Sequence, residues 1–271
     1  MQNVQVGIVT GGASGIGKAI GKALARKGVY VVVADLNAAE GEEAVKDIAA
    51  EGGRARYERV DVADAAGVSG LVQGIYEEFG RLDYMFNNAG ITMYGELQDM
   101  TLAHWHRIVK INLMGVIHGT QAAYPIMIKQ GFGHIANTAS ATGLGPSPTA
   151  SAYATTKHAV VGLTTSLHYE AEDFGVKVSA LCPAFVDTPI FEKGEAVNLD
   201  KTVINEQMKK QKMMSPEQFA DIALKGLERN EPIICPMPLR RTMDIFFILF
   251  PGMHRKLMRM VCKAARRARL K

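Results

Sequence analysis

The feature of this sequence that most constrains its fold is a series of short apolar segments that alternate with longer helical patterns. The segment 30–34, Tyr-Val-Val-Val-Ala, is apolar at every position instead of every second one, which is typical of a parallel sheet covered on both faces. Seven segments are predicted strands: 4–9, 29–34, 55–60, 82–87, 132–138, 176–182 and 232–235. The patterns between them predict helices at about 15–27, 38–51, 64–79, 101–130, 151–174, 189–212 and 216–229. This order predicts an α/β fold with a doubly wound, mostly parallel seven-stranded sheet of the Rossmann type and helices on both faces.

The composition is that of an ordinary soluble protein, with 48% hydrophobic and 21% charged residues in a chain of 271. No linker, low-complexity tract or internal repeat divides the chain, so residues 1–238 are predicted to form one domain. The N-terminus lacks the pattern of a signal peptide. Cys182, Cys235 and Cys262 are too far apart for a disulfide framework or a zinc site. We therefore expect no metal site and a reducing, cytoplasmic setting.

The end of the chain differs from the rest in charge. Residues 255–271 contain eight basic residues and no acidic one, whereas the remainder has 23 basic and 27 acidic residues. An apolar run at 245–250 precedes this stretch, in which apolar residues recur at helical spacing: Leu257, Val261, Ala264 and Ala268. Residues 239–271 are therefore predicted to form a basic amphipathic helical extension.

Three hypotheses account for this extension. The run at 245–250 is too short to span a bilayer, but segment 245–271 could lie on an anionic membrane surface and make the protein peripheral. It could instead fold over a substrate cleft or form a subunit interface. Binding to nucleic acid rests on charge alone and is disfavoured.

A glycine-rich turn follows the first predicted strand. The run from Thr10 to Gly17 reads Thr-Gly-Gly-Ala-Ser-Gly-Ile-Gly and leads directly into a predicted helix. Glycines at Gly11, Gly15 and Gly17 allow a tight turn and a close approach of the backbone to a pyrophosphate, and the helix N-terminus supplies N–H groups. The position of this loop between a strand and a helix predicts a dinucleotide site.

Asp35, which ends the second predicted strand, indicates which dinucleotide is bound. It lies 18 residues past Gly17, where a carboxylate can accept hydrogen bonds from both adenosine ribose hydroxyls and repels a 2′-phosphate. Leu36 and Ser14 offer no cation that would bind such a phosphate. These residues favour NAD over NADP.

Polar and small residues follow the third and fourth predicted strands. Asp61 and Val62 could bind the adenine amino group, and Asn87-Asn88-Ala89-Gly90 places amides and small residues at the sheet edge. Turn chemistry that stabilises the strand ends is an alternative role, and both roles can hold together.

Tyr153 and Lys157 are one helical turn apart, with Ser140 upstream. An ammonium group beside a phenol is expected to lower the pKa of the phenol from its usual value of about 10. A seryl hydroxyl could hold a carbonyl or alcohol oxygen next to them. The three residues are therefore a predicted acid–base site for an alcohol–ketone pair.

Over roughly residues 4–236 the sequence resembles the short-chain dehydrogenase/reductase family of the single-domain type. The resemblance rests on the Thr10–Gly17 loop, Asp35, Asp61, Asn87–Gly90, Asn112, Ser140, Tyr153, Lys157 and the turn from Pro183 to Thr188. It implies that Tyr153 is the general acid or base, that Lys157 lowers its pKa and holds the nicotinamide ribose, and that Ser140 orients the substrate oxygen.

The resemblance also implies further site residues. Asn112 would bend the long helix and hold a water molecule linked to Lys157, and Thr188 and Val186 would bind the nicotinamide carboxamide. Ala184 departs from the glycine that usually follows the proline of that turn. The implied cofactor contacts are Gly11, Ser14, Gly15, Ile16, Gly17, Asp35, Leu36, Asp61, Val62, Asn88, Ala89, Gly90, Tyr153, Lys157, Pro183, Val186 and Thr188.

The substrate end is expected to be apolar. Beside Ser140 and Tyr153, its candidate lining is Met93, Tyr94, Thr142, Leu144, Phe185, Ile190 and Phe191. This set has no cation to hold a phosphate or carboxylate, so we expect a lipophilic secondary alcohol or ketone such as a steroid, retinoid, terpenoid or long-chain alcohol.

The sequence thus predicts an NAD-dependent oxidoreductase acting on an apolar alcohol or ketone. An NADPH-dependent carbonyl or 3-oxoacyl reductase is the alternative enzyme, and Asp35 argues against it. A non-catalytic NAD-binding regulatory protein is the alternative of another class, and the complete set of Ser140, Tyr153 and Lys157 argues against that. The resemblance implies a homotetramer or dimer formed through the helices at 101–130 and 151–174.

Overall fold

A computed structural model of the chain describes residues 4–209, 211–237 and 240–270. Three parts of the predictions lie outside the described residues: position 210 in the predicted helix 189–212, the boundary at 238–239, and Lys271.

The described residues form a central sheet of seven parallel strands in the order β3-β2-β1-β4-β6-β7-β9. These strands are β1 (Val6–Thr10), β2 (Tyr30–Asp35), β3 (Arg54–Arg59), β4 (Tyr84–Asn87), β6 (Gly133–Thr138), β7 (Val176–Leu181) and β9 (Ile233–Ile234). They correspond to the seven predicted strands and confirm the predicted fold class. A pair of short strands that the sequence did not predict, β5 (Met93–Tyr94) and β8 (Glu195–Ala196), forms a separate parallel ladder.

Helices fill the connections and cover both faces of the sheet. They are α1 (Gly15–Arg26), α2 (Ala38–Ala50), α3 (Ala65–Phe79), α4 (Leu102–Val109), α5 (Gly115–Gln130), α6 (Ser151–Glu170), α7 (Ile190–Lys193), α8 (Lys201–Lys209), α9 (Pro216–Glu228), α10 (Arg240–Leu249) and α11 (Pro251–Ala265). The predicted helix 101–130 is interrupted by a π-helical turn at 110–114. The predicted helix 189–212 is two helices separated by β8, and the predicted helix 151–174 ends at Glu170.

Two apolar layers hold the helices against the sheet. All five residues of β1 are buried, so this strand has no solvent-facing side. On one face Ile20 and Leu24 of α1 pack with Phe219 of α9. On the other face Ile75 of α3 packs with Met127 of α5 and Leu167 of α6. Burial on both faces explains why the strands are apolar throughout.

The C-terminal extension is helical, as the sequence predicts. Helices α10 and α11 are connected at Phe250, and a 3₁₀ turn at 266–268 follows α11. Within the part of the chain that the structure describes, no helix combines the length and the hydrophobicity that crossing a bilayer requires.

The buried carboxylate of Asp83 fixes the start of β1 against the start of β4. It accepts a hydrogen bond of 2.8 Å from the backbone N–H of Val6 and a second from Arg81 Nε at 2.9 Å. The Asp83 side chain is only 6% exposed and Val6 is fully buried, so the Val6 N–H has no access to water, whereas Arg81 is partly exposed. The pair of strands that flanks the reversal of strand order therefore depends on this carboxylate.

We expect Asp83→Ala to lower the free energy of unfolding by about 1–3 kcal/mol, because it leaves the buried Val6 N–H without its acceptor and removes the partner of Arg81. Urea unfolding measures this loss. Asp83→Asn is the matched variant, since it keeps an acceptor for Val6, and it should lose distinctly less. Equal losses in the two variants would contradict this role.

Candidate active site

A cleft of about 710 Å³ opens at the carboxyl ends of the strands. The strand order reverses between β1 and β4, and ligands of doubly wound sheets bind at such a point. Apart from Gly17, every residue predicted to contact the cofactor lines this cleft: Gly11, Ser14, Gly15, Ile16, Asp35, Leu36, Asp61, Val62, Asn88, Ala89, Gly90, Tyr153, Lys157, Pro183, Val186 and Thr188.

The glycine-rich turn is built so that its backbone, not side chains, faces the cleft. Gly11 has a φ of +62°, and a Cβ there would lie 2.8 Å from the Ala89 Cα. A Cβ on Gly17 would collide with the carbonyl oxygen of Gly11. Gly17 is buried behind the turn and does not line the cleft. The close approach of Gly17 to Gly11 lets α1 pack closely on the turn, and a direct contact with the cofactor stays a prediction.

Asn88 joins this turn to the ends of β4 and β6. Its amide nitrogen Nδ2 donates to the carbonyl oxygens of Thr10 (3.1 Å) and Gly11 (3.3 Å), and its Oδ1 accepts from the Thr138 hydroxyl at 3.2 Å. The backbone N–H of Asn88 donates to Thr10 Oγ1 at 2.9 Å. Asn88 therefore has the structural role that the sequence left open, and it also lies at the cleft surface.

Asp35 is held at the rim of the cleft by two backbone donors. The N–H of Ala13 donates to Oδ2 at 3.1 Å, and the N–H of Asn37 donates to Oδ1 at 3.0 Å. A carboxylate has about four lone-pair positions, so each oxygen keeps acceptor capacity toward the cleft. This arrangement fits the ribose hydroxyls of a bound dinucleotide.

Asp61 and Val62 form the next part of the rim. The Asp61 carboxylate accepts the N–H of Ala63 at 2.9 Å, and the carbonyl oxygen of Val62 contacts His118 Nδ1 at 2.9 Å. Both residues line the cleft beside Asp35. The turn chemistry that the sequence indicated is present, and the side chain of Asp61 keeps free acceptor capacity.

Ser140, Tyr153 and Lys157 meet at the floor of the cleft. The Ser140 hydroxyl lies close enough to the Tyr153 hydroxyl to affect its pKa, and the Thr142 N–H donates to Ser140 Oγ at 3.1 Å. The Lys157 ammonium donates to the carbonyl oxygen of Thr138 at 2.8 Å and lies 5.6 Å from the centroid of the Tyr153 ring. Two hydroxyls and an ammonium group thus converge on one spot.

Burial dominates the ionisation of this group. It raises the pKa of Tyr153 above the usual value for a phenol, while the nearby Ser140 hydroxyl acts in the opposite direction. Burial also lowers the pKa of Lys157 from 10.5 to about 8. The lowering of the Tyr153 pKa by Lys157 stays a prediction, because burial of the phenol has the largest effect and the net pKa is raised. The ammonium lies over the ring and is directed at Thr138, so enclosure of the phenol has the larger effect.

Asn112 lies behind the site at the π-helical turn. Its Oδ1 accepts the N–H of Ile91 at 2.8 Å, and its Nδ2 donates to the carbonyl oxygen of Ile91 at 2.8 Å. The side chain is fully buried and does not line the cleft. Because both amide atoms bind Ile91, Asn112 fixes the segment that follows β4; a bridging water remains a prediction.

The turn from Pro183 to Thr188 forms part of the cleft lining. Its left-handed residue is Phe185, with a φ of +44°, and Ala184 is outside that region. The alanine therefore needs no glycine-like freedom, which explains how it replaces the usual glycine. The Phe185 carbonyl oxygen accepts the N–H of Met214 at 2.8 Å, and this bond holds the strained residue in place.

Five of the predicted substrate residues line the cleft: Tyr94, Thr142, Phe185, Ile190 and Phe191. Two do not. Met93 is fully buried because β5 pairs with β8 and directs it into the core beside Ile108. Leu144 packs against a cluster that includes Val160 of α6. Their sequence position near the site did not reveal which way the side chains point.

The sequence missed three contributors to the site. Thr138 holds Lys157, and its position at the end of β6 could have indicated it. Glu40 and Lys193 line the cleft and form an ion pair of 2.9 Å that connects α2 to α7. No sequence pattern predicts that pair, because its members are 153 residues apart. No cluster of metal-ligating side chains is found among the described residues.

Several known proteins are similar to this chain. The family model for short chain dehydrogenases matches residues 5–198. The chain is similar to a D-beta-hydroxybutyrate dehydrogenase of Rhizobium meliloti, with 34% identity over 80% of this chain and 89% of the relative. It is also similar to a cyclohexanol dehydrogenase of an Acinetobacter species, with 35% identity over 73% and 80% of the two chains.

Solved structures agree in fold. A short chain dehydrogenase/reductase from Burkholderia phymatum in complex with NAD has 30% identity and a TM-score of 0.81, and the match covers 89% of this chain and 91% of the other. A short-chain dehydrogenase from Sphingobium yanoikuyae in complex with NADPH has 25% identity and a TM-score of 0.77, with 94% and 95% covered. The chain therefore belongs to the short-chain dehydrogenase/reductase family and is an NAD(P)-dependent oxidoreductase acting on CH–OH groups.

Proposed function

We propose that this protein transfers a hydride between NAD(H) and an apolar secondary alcohol or ketone. The observation that carries the proposal is the convergence of Ser140, Tyr153 and Lys157 at the floor of a cleft whose other end carries Asp35. The cofactor supplies the hydride, and its oxidised form brings a positively charged ring.

The proposed chemistry assigns the proton to Tyr153. Its high pKa keeps the hydroxyl protonated, which suits the donation of a proton to a ketone oxygen. In the reverse direction the same oxygen accepts the proton of the alcohol. Ser140 lies close to that hydroxyl and would hold the substrate oxygen beside it. Lys157 places a positive charge next to the phenol and favours its ionised form during proton transfer.

The preference for NAD rests on Asp35. Its carboxylate lies at the rim where the adenosine ribose of a dinucleotide would lie, and it would repel a 2′-phosphate. The rim cation Lys193 is already paired with Glu40. A carboxylate without an unpaired cation beside it supports NAD over NADP.

An apolar substrate is supported by the lining of the catalytic end. Tyr94, Phe185, Ile190 and Phe191 supply aromatic and aliphatic surface. Among the described lining residues the cations are Lys157 and Lys193, and these donate to Thr138 and Glu40 respectively. A substrate carboxylate such as that of a hydroxybutyrate would find no unpaired cation, whereas a ring alcohol like cyclohexanol needs none.

A homo-oligomer is part of the proposal. Helices α5 and α6 pack against the same face of the sheet, and α6 exposes Tyr169 at 67%. Pairing of these helices with those of a second copy would cover that ring, giving a dimer or tetramer. The scattered cysteines support a cytoplasmic location.

Tyr153→Phe tests the catalytic role. We expect kcat to fall about a thousandfold, because the proton donor is lost, while the NADH affinity measured by fluorescence stays unchanged. Tyr94→Phe is the matched control, since it removes another phenol from the same cleft and should keep most of the activity. Turnover would be measured with NAD and a panel of steroid, retinoid, terpenoid and straight-chain secondary alcohols. Undiminished turnover by Tyr153→Phe would refute the assignment.

Asp35→Ser combined with Leu36→Arg tests the cofactor preference. The change removes the charged acceptor and adds a cation, so kcat/KM with NAD should fall roughly a hundredfold and that with NADP should rise. Glu42→Gln removes an equal charge from the exposed face of α2 and should leave the preference unchanged. Wild-type protein that already prefers NADP would contradict the role of Asp35.

Lys157 gives a pH-dependent contribution to stability. Its pKa is lowered to about 8 in the folded protein, so between about pH 8 and pH 10.5 the unfolded chain binds a proton that the folded protein does not. The free energy of unfolding contributed by this group therefore rises with pH, by about 2–3 kcal/mol up to pH 10. The raised pKa of Tyr153 acts only above pH 10.

Urea unfolding of the wild type and of Lys157→Met across that window measures the contribution. The free energy of unfolding of the wild type, relative to that of Lys157→Met, should rise with pH. Lys225→Met alters an exposed lysine of α9 and should differ from the wild type by the same amount at each pH. A constant difference for Lys157→Met would show that the group does not titrate there.

A further inference from the structure

Helix α11 divides into three sectors. His254, Met258, Cys262 and Ala265 recur at helical spacing and are all half-buried, so this sector faces other parts of the chain. The ring of His254 stacks on Phe247 of α10, with 4.6 Å between ring centroids. The remaining surface is exposed and holds two different stripes, one apolar and one basic. A helix resting on a globular domain ordinarily exposes only polar residues, so the apolar stripe requires an explanation.

The apolar stripe continues from α11 onto α10. On α11 it consists of Met253, Leu257, Met260, Val261 and Ala264, which are all exposed and spaced i, i+4, i+7, i+8 and i+11. On α10 Ile248 is 77% exposed and Leu249 is 66% exposed, and Phe250 between the helices is also exposed. Contiguous apolar surface of this kind marks an interaction site.

The basic stripe lies directly beside the apolar one. It consists of Arg255, Lys256, Arg259 and Lys263, whose side chains are all exposed. The sequence has no acidic residue from position 245 to its end. A second copy docking through this same face would bring like charges together, which is unfavourable.

The extension is fastened at its end to the domain. Arg266 pairs with Glu96 at 2.8 Å, and Arg269 pairs with Glu96 at 2.9 Å and with Asp99 at 3.0 Å. Ala268, which the sequence placed on the apolar face, is instead buried, because α11 ends at Ala265 and the chain turns inward. The N–H of Asp200 donates to the Ala268 carbonyl oxygen at 2.6 Å. The exposed stripes are thus presented in a fixed orientation.

We propose that the α10–α11 hairpin docks the protein on the surface of an anionic lipid bilayer. The apolar stripe enters the boundary between headgroups and acyl chains, and the basic stripe contacts the acidic headgroups. Charge complementarity selects this partner, since an apolar face flanked only by cations matches an anionic and partly apolar surface. Docking does not depend on the proposed reaction, and it makes the protein peripheral without a spanning helix.

The extension meets the domain next to the proposed substrate end. Met237, the last described residue before the extension, lines the cleft, and Glu96 follows two residues after Tyr94, another lining residue. A docked hairpin would therefore hold the substrate loops near the bilayer, where an apolar alcohol concentrates.

Co-sedimentation of the full-length protein with lipid vesicles tests the proposal. We expect binding to vesicles of phosphatidylcholine mixed with phosphatidylserine, little binding to phosphatidylcholine alone, and weaker binding at higher salt. The triple variant Lys256→Ser, Arg259→Ser and Lys263→Ser should bind roughly a hundredfold more weakly. The triple variant Leu257→Ser, Met260→Ser and Val261→Ser should lose binding at all salt concentrations.

The matched control removes three exposed lysines of the domain, Lys46→Ser, Lys129→Ser and Lys225→Ser, and should reduce binding much less. Circular dichroism and the unfolding midpoint establish that each variant is folded. The proposal is overturned if the wild type ignores anionic vesicles, or if the control loses as much binding as the basic-stripe variant. It is also overturned if the stripes instead mediate self-association in ultracentrifugation or bind a DNA duplex more tightly than the vesicles.

Discussion

Burial of the parallel sheet on both faces is the constraint on which the rest of the structure depends. Because apolar layers cover β1 and β4 on both faces, polar side chains are confined to the ends of the strands. The cleft lies at these ends, at the point where the strand order reverses. The glycine turn after β1, Asp35 after β2, Asn88 after β4 and Ser140 after β6 all meet there. Their convergence follows from topology, because parallel strands bring their carboxyl ends to one edge.

At that edge, hydrogen bonds between loops fix the positions of the side chains that line the cleft. Asn88 ties three chain segments together, and Thr138 directs the ammonium of Lys157. Burial has the largest effect on the Tyr153 phenol and raises its pKa.

The strained Phe185 and the ion pair of Glu40 with Lys193 lie in the lining of the cleft. Both use interactions between segments distant in sequence, namely Phe185 with Met214 and α2 with α7. The C-terminal extension is also held by long-range interactions, since Arg266 and Arg269 form ion pairs with Glu96. Variation among relatives is easiest in such segments, because the sheet does not depend on them.

The sequence by itself determined the seven strands, the order of helices between them, the glycine turn and the residues of the acid–base set. These follow from local periodicity, from turn chemistry and from a motif whose spacing a single helix fixes. Only the tertiary structure decided that Met93 and Leu144 face away from the cleft, that Gly17 and Asn112 act behind its surface, and that burial raises the pKa of Tyr153. The physical reason is that side-chain direction, burial and long-range pairing depend on how distant segments pack, and a local pattern carries no information about that packing.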